Sequence, residues 1–237
     1  MERISYMKKM RGYFTRTELL LWGASSALTA VSFAVFDRKG WLTLAASLIG
    51  VTSLIFNAKG NPAGQALMVI FSALYGVISY SCAYYGEMIT YLGMCAPIAL
   101  LALAAWLKNP YGGNRSEVRV NRLKGREIAL MLALSAAVTA AFWFILGALG
   151  TANPVPSTIS VTTSFIAAYL TFRRSRYFPL AYAANDAVLL VLWTLAAVGD
   201  VSYISVLVCF VVFLINDLYG FVSWSRMEKR QNKMVQV

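Results

Sequence analysis

Apolar residues gather in long runs that carry almost no charge, and the runs recur from residue 18 to residue 225. A helix rises about 1.5 Å per residue, so roughly 20 apolar residues cross a hydrocarbon core about 30 Å thick. The pattern predicts an all-α membrane protein with eight spans, at 18–36, 41–57, 62–85, 88–107, 127–149, 157–172, 178–199 and 202–225. Helix 6 is short and rich in hydroxyls: Ser157, Thr158, Ser160, Thr162, Thr163 and Ser164. Hydroxyls need partners in lipid, so this helix is expected to face other helices or a wet cavity.

Composition agrees with the pattern, at 59% hydrophobic and 13% charged. The formal charge of +11 invites a nucleic-acid reading, but its distribution argues against one. In an eight-span arrangement, 19 of the 21 basic residues fall on one side. They occupy the N-terminal tail (Arg3, Lys8, Lys9, Arg11, Arg16), the 2–3 turn (Lys59), the central loop from Lys108 to Arg126, the 6–7 turn (Arg173, Arg174, Arg176) and the C-terminal tail. Only Arg38 and Lys39 lie on the other side. Cytoplasmic loops carry the excess of Lys and Arg, so both termini are expected in the cytoplasm and the chain in the cell membrane. The basic charge then reads as topology, helped by anionic lipid. The first apolar run is too long for a signal peptide, and no small-residue cleavage pattern follows Phe36. Cys82, Cys95 and Cys209 lie in apolar helices at no metal or redox spacing, so they are expected to be packing residues.

The two halves resemble each other around the central loop. FNAKGNPAGQA (56–66) and FRRSRYFPLAYAAND (172–186) each place a cationic turn before a helix that opens on Pro. Helix 4 begins after Gly86-Glu87 and ends near Trp106; helix 8 begins after Gly199-Asp200 and ends at Trp224. The expected organisation is one transporter domain over 1–237. A tail and extra helix occupy 1–40, one three-helix repeat 41–107, a basic loop and linker helix 108–149, and a second repeat 157–226. This 3+1+3 core with parallel repeats matches a known transporter architecture.

No Lys, Arg or His lies inside a predicted span, but Asp186 and Asp217 do, each after an asparagine (Asn185, Asn216). Both lie roughly 12–14 Å from the cytoplasmic helix ends. An aspartate there costs about 2.5–3.5 kcal/mol on insertion scales, so it should face a cavity or a partner. Tyr182 and Trp193 accompany Asp186; Tyr219 lies one turn beyond Asn216; Gln65 and Tyr75 belong to helix 3. These eight residues (Asn185, Asp186, Asn216, Tyr219, Trp193, Tyr182, Tyr75 and Gln65) are the candidate substrate site. Trp22, Trp41, Trp106 and Trp224 stand near helix ends and are expected in interfacial belts. An enzyme is not expected: the chain has no His and no phosphate-binding loop, and neither aspartate carries the flanks of a membrane aspartyl protease. No cofactor or metal is implied.

Three stretches resemble the PnuC family of nicotinamide riboside transporters. They are KGNPAGQALMVIFSALYGVISY (59–80) with YYGEM (84–88), EVRVNRLKGRE (117–127) and INDLYGFVSWSRM (215–227). The resemblance covers about residues 41–230 and implies a core related to the SWEET sugar carriers. It implies uptake of a vitamin-like nucleoside, nicotinamide riboside first, by alternating access and facilitated diffusion. Asn185, Asn216 and Tyr219 match family positions. The riboside carriers' Trp-x-x-Trp in helix 7 corresponds here to Phe178 and Ala181, which leaves Tyr182 or Trp193 to supply the ring. Thiamine, riboflavin or another nucleoside, proton coupling through Asp186 or Asp217, and a scaffold without flux remain as alternatives. The oligomeric state, a homo-oligomer included, stays open.

Overall fold

The computed structural model describes residues 12–81, 85–151 and 153–234. Among these, eight helices are long and apolar enough to cross a membrane. They are α1 Arg16–Phe36, α2 Trp41–Ala58, α3 Pro62–Ser81, α4 Tyr85–Leu107, α5 Gly125–Ala148, α6 Pro154–Phe172, α7 Phe178–Gly199 and α8 Ile204–Met234. A single 3-10 turn, Val201–Tyr203, leads into α8. Cys82 and the basic residues Arg3, Lys8, Lys9 and Arg11 lie outside the described residues.

Helix ends follow local chemistry. Thr15 caps α1: its Oγ1 accepts from the Glu18 amide while the Glu18 carboxylate accepts from the Thr15 amide, a reciprocal capping box. α2 and α6 end alike. The Asn61 amide donates to the Phe56 carbonyl and the Ser175 amide to the Leu170 carbonyl, with Gly60 (φ 66°) and Arg174 (φ 56°) in the left-handed region. That is the Schellman turn, normally built on glycine because a side chain there is strained. Within α4 the helix widens to a π segment, Thr90–Cys95. Pro97 follows it and has no N–H to give the preceding turn, which loosens the ladder at that point.

Leu19, Leu20, Leu28, Val31 and Val35 on α1 are exposed, as are Leu130, Leu132, Leu134, Trp143 and Phe144 on α5. Outward apolar faces of this kind suit lipid. Inside, α2, α3, α4, α7 and α8 enclose an aromatic core of Phe71, Tyr75, Tyr91, Trp193, Phe210 and Phe213. α2 comes so close that a Cβ at Gly50 would lie 2.4 Å from the tip of the Phe213 ring, so a side chain there would have to push that ring aside.

A second core near the basic end holds Trp106, Phe178 and Trp224. Here the structure corrects the sequence reading. Trp22 and Trp41 are exposed, as belt residues should be, but Trp106 and Trp224 are both 0% exposed. The Trp106 Nε1 donates to the Thr171 carbonyl, and the Trp224 Nε1 donates to the Asn57 carbonyl, at 2.9 and 2.7 Å. Each indole thus leaves the last helix of one triplet and caps the first helix of the other. The two rings meet at 5.4 Å.

The all-helical expectation passes over a small hairpin in the basic loop, Pro110–Tyr111 (β1) paired antiparallel with Asn114–Val118 (β2). This loop works as a strap. The Val118 amide donates to the Gly60 carbonyl and the Asn121 amide to the Arg174 carbonyl, so it touches the turn of each triplet. Near the end of α8, Glu228 pairs with Arg122 and Arg176, and Gln231 bonds Val118, Val120 and Glu117. Glu228 is 5% exposed, yet Arg122 is largely solvated, so the pair with Arg176 carries most of the worth. Glu228→Ala is expected to destabilise the protein by about 1–2 kcal/mol, read as a lower melting temperature in detergent. An unchanged melting temperature would mean that the strap is held by its backbone bonds.

Candidate functional site

The candidate residues fall into three groups. Asp186 on α7 and Asp217 on α8 are buried, and their carboxyls lie within hydrogen-bonding reach of each other. Asp186 Oδ2 has no hydrogen-bond partner. Tyr182, one turn earlier on α7, lies within electrostatic reach of both aspartates. On the α3–α4 side, Tyr91 lies within electrostatic reach of Asp186 and of Glu87. Tyr75 packs against Tyr91 at 4.5 Å and against Trp193 edge-on at 6.3 Å. Tyr75, Trp193 and the two aspartates therefore belong to one interior region, where rings meet carboxyl groups. Ser72 and Ser79 of α3 are fully buried beside it, and their hydroxyls make no hydrogen bond. A buried polar atom without a partner costs about 1–3 kcal/mol.

Asn185 forms the second group. Its Oδ1 accepts from Ser160, Thr163 and Ser164 at 3.4, 2.8 and 3.0 Å. The hydroxyl-rich face of α6 thus turns inward onto α7, away from lipid, and Asn185 joins the two helices.

Asn216, Tyr219 and Gln65 are placed apart. Asn216 Nδ2 donates to Ser25 Oγ of α1 at 2.9 Å and to the Val212 carbonyl, while its Oδ1 has no partner. The Tyr219 hydroxyl donates to Glu18 of α1, and Glu18 also pairs with Lys59 at 3.1 Å. Gln65 Nε2 donates to Asn57 Oδ1 at 2.8 Å. These three residues face α1 and the end of α2. Phe178 packs edge-on against Trp106 and Trp224 in the second core.

The sequence reading missed Glu87. It assigned Gly86-Glu87 to the turn before helix 4, yet α4 begins at Tyr85 and carries Glu87 in its first turn. An acid in the first turn of a helix, followed by an apolar run, is a start signal and would have placed it correctly. Glu87 lines a cavity of about 210 Å³ with Thr151, Asn153, Ser157, Leu192 and Trp193. The carboxylate Oε2 is enclosed and unpartnered, as is Thr151 Oγ1. The far end of α4 runs into the strap, so this cavity opens on the face opposite the basic loops.

The chain matches the family model described as nicotinamide mononucleotide transporter over residues 40–226. It is 27% identical over 232 residues to the nicotinamide riboside transporter PnuC of Neisseria mucosa, covering 96% of this chain and 88% of that protein. It is 21% identical over 216 residues to the protein of the same name from Haemophilus influenzae, covering 90% and 92%. A crystal structure of the vitamin B3 transporter PnuC superposes with a TM-score of 0.80 at 27% identity, covering 92% of this chain and 94% of that one. With eight apolar helices of matching arrangement and a match across most of its length, the chain is a multi-pass membrane transporter and belongs to the nicotinamide mononucleotide transporter family.

Proposed function

We propose that the protein carries nicotinamide riboside into the cell by alternating access, without coupling to an ion. The names of its relatives point to nicotinamide compounds, and the family description and the curated relatives differ on one matter, the phosphate. The observation that favours the riboside is the sign of the interior charge. Glu87, Asp186 and Asp217 stand among aromatic rings, the chain has no His, and no Lys or Arg occupies the middle of a span. The riboside is a pyridinium cation, which such an interior attracts; the mononucleotide adds a phosphate, which it repels. Phosphate recognition would call for Arg or Lys, the usual partners of that group.

In this reading the triplets 41–107 and 157–226 rock against each other, with the basic loops and both termini at the cytoplasmic face. Asp186, Tyr75, Trp193 and Tyr182 form the substrate site, and Asn185 positions α6 against α7. Asn216, Tyr219 and Gln65 hold the site's frame against α1 and α2. Thiamine is the second reading, because it too is a flat-ringed cation and the indole pair of the riboside carriers is replaced by Phe178 and Ala181.

A thermal-shift panel on the purified protein tests both readings. Nicotinamide riboside is expected to raise the melting temperature, with nicotinamide mononucleotide and riboflavin inert. A shift with thiamine alone would move the assignment to the second reading. Uptake into proteoliposomes is expected to be the same with and without a pH gradient. Dependence on the gradient would make the Asp186–Asp217 pair a proton carrier.

A further inference from the structure

We propose that Glu87 is the countercharge of an outer subsite that selects the cationic ring of the substrate, apart from the deeper Asp186–Asp217 pair. The proposal rests on the riboside reading and adds to it the residue that reads the charge.

Three features of the cavity on the face opposite the basic loops carry it. The first is an acid held on one side only: the Glu87 carboxyl lies within hydrogen-bonding reach of Ser160, and its other oxygen has no partner. An acid at a helix start is ordinarily solvated or bonded to free backbone amides. Glu87 Oε2 is instead shut away from solvent without a hydrogen-bond donor, on the wall of a cavity. Among the described residues no Lys or Arg lines that cavity, so the cation that would pair with Glu87 there is a ligand's. The second is the opposing wall. Trp193 lines the same cavity, and an indole beside a carboxylate is the pairing that holds flat organic cations, by ring attraction on one side and ion pairing on the other. The third is the polar rim. Thr151 Oγ1 is buried without a partner, and Asn153 and Ser157 lie beside it, which suits the carboxamide of a nicotinamide ring.

Size sets what enters. A volume of about 210 Å³ lies below the 300–1,000 Å³ typical of whole-ligand pockets. It takes one substituted ring and leaves the ribose toward the mouth. Trp193 also packs on Phe210 at 6.4 Å and edge-on against Tyr75 at 6.3 Å, so the ring that walls this subsite also walls the aromatic core behind it. A cation held here has its next acidic partners at Asp186 and Asp217.

The test compares two ligands of nearly one shape that differ in charge: nicotinamide riboside and its uncharged dihydro form. Binding is measured by calorimetry on the full-length protein in lipid nanodiscs. The wild type is expected to bind the cation at least about ten-fold more tightly than the neutral form. Glu87→Gln is expected to weaken the cation by about ten-fold, leave the neutral form within about two-fold and bring the two affinities together. Glu87→Asp, which keeps the charge, should retain the preference. Equal weakening of both ligands in Glu87→Gln would make the residue structural and overturn the proposal. A preference that survives in Glu87→Gln would overturn it too, and would assign charge reading to the deeper pair. If the wild type binds neither form, the riboside reading falls together with this inference.

Discussion

Alanine at Trp224 will destabilise the protein by about 3–5 kcal/mol, and alanine at Trp106 by a similar amount, but the double variant will cost less than their sum. Each indole is fully buried and caps a helix of the other triplet, through Asn57 and Thr171. Removing either leaves a void and takes one of two hydrogen bonds from a helix-end carbonyl, Asn57 keeping the Gly60 amide and Thr171 the Arg174 amide. The rings lie 5.4 Å apart, and Phe178 packs edge-on against Trp224 at 4.8 Å. The two voids therefore merge, and the second truncation removes contacts the first has already lost. Unfolding of the two single variants and the double variant in mixed micelles measures the coupling. Strict additivity would show that the indoles act as separate caps and that the interface between the triplets is held elsewhere.

Trp193→Ala has the second large effect, and here function and stability separate. Trp193 is 3% exposed, contacts Tyr203 at 5.5 Å, and divides the Glu87 cavity from the aromatic core. Alanine joins the two spaces and is expected to cost about 3–5 kcal/mol. Uptake of nicotinamide riboside in proteoliposomes should fall by about ten-fold, because the stacking surface of the proposed site is gone. Phenylalanine refills most of the space, so Trp193→Phe should recover most of the stability and part of the uptake. Full uptake by a folded Trp193→Ala protein would remove this ring from the substrate path.

The sequence resolves the spans because hydropathy acts on every residue of a span and averages well. Helix-start chemistry resolves less. Beside Gly86 a carboxylate fits a turn as readily as the first turn of a helix, and the apolar run that follows Glu87 is the signal that favours the helix. Trp106 and Trp224 sit at belt height, and height along the membrane normal says nothing about whether a ring points to lipid or to the core. Asn216 and Tyr219 share a helix face in the sequence. That this face meets Ser25 and Glu18 depends on where α1 docks, a long-range contact that no local spacing encodes. β1 and β2 escaped because NRSEV has no apolar alternation; the hairpin is held from outside its own strands by Gly60, which accepts from Val118, and by Gln231, which bonds Glu117 and Val118.

In the proposed rocking cycle the strap would make the two faces of the carrier unequal. A rocking motion that parts the turns at Gly60 and Arg174 must stretch both backbone bonds to Val118 and Asn121 at once. At about 0.5–1.5 kcal/mol for each hydrogen bond, the strap adds roughly 1–3 kcal/mol to that half of the cycle, before any side chain moves. By the factor of ten per 1.4 kcal/mol, under the proposed rocking mechanism a carrier tied in this way is expected to discharge cargo at its basic face up to about a hundred-fold more slowly than one whose strap bonds are removed. In that reading the central loop would act as a brake on turnover as well as a linker.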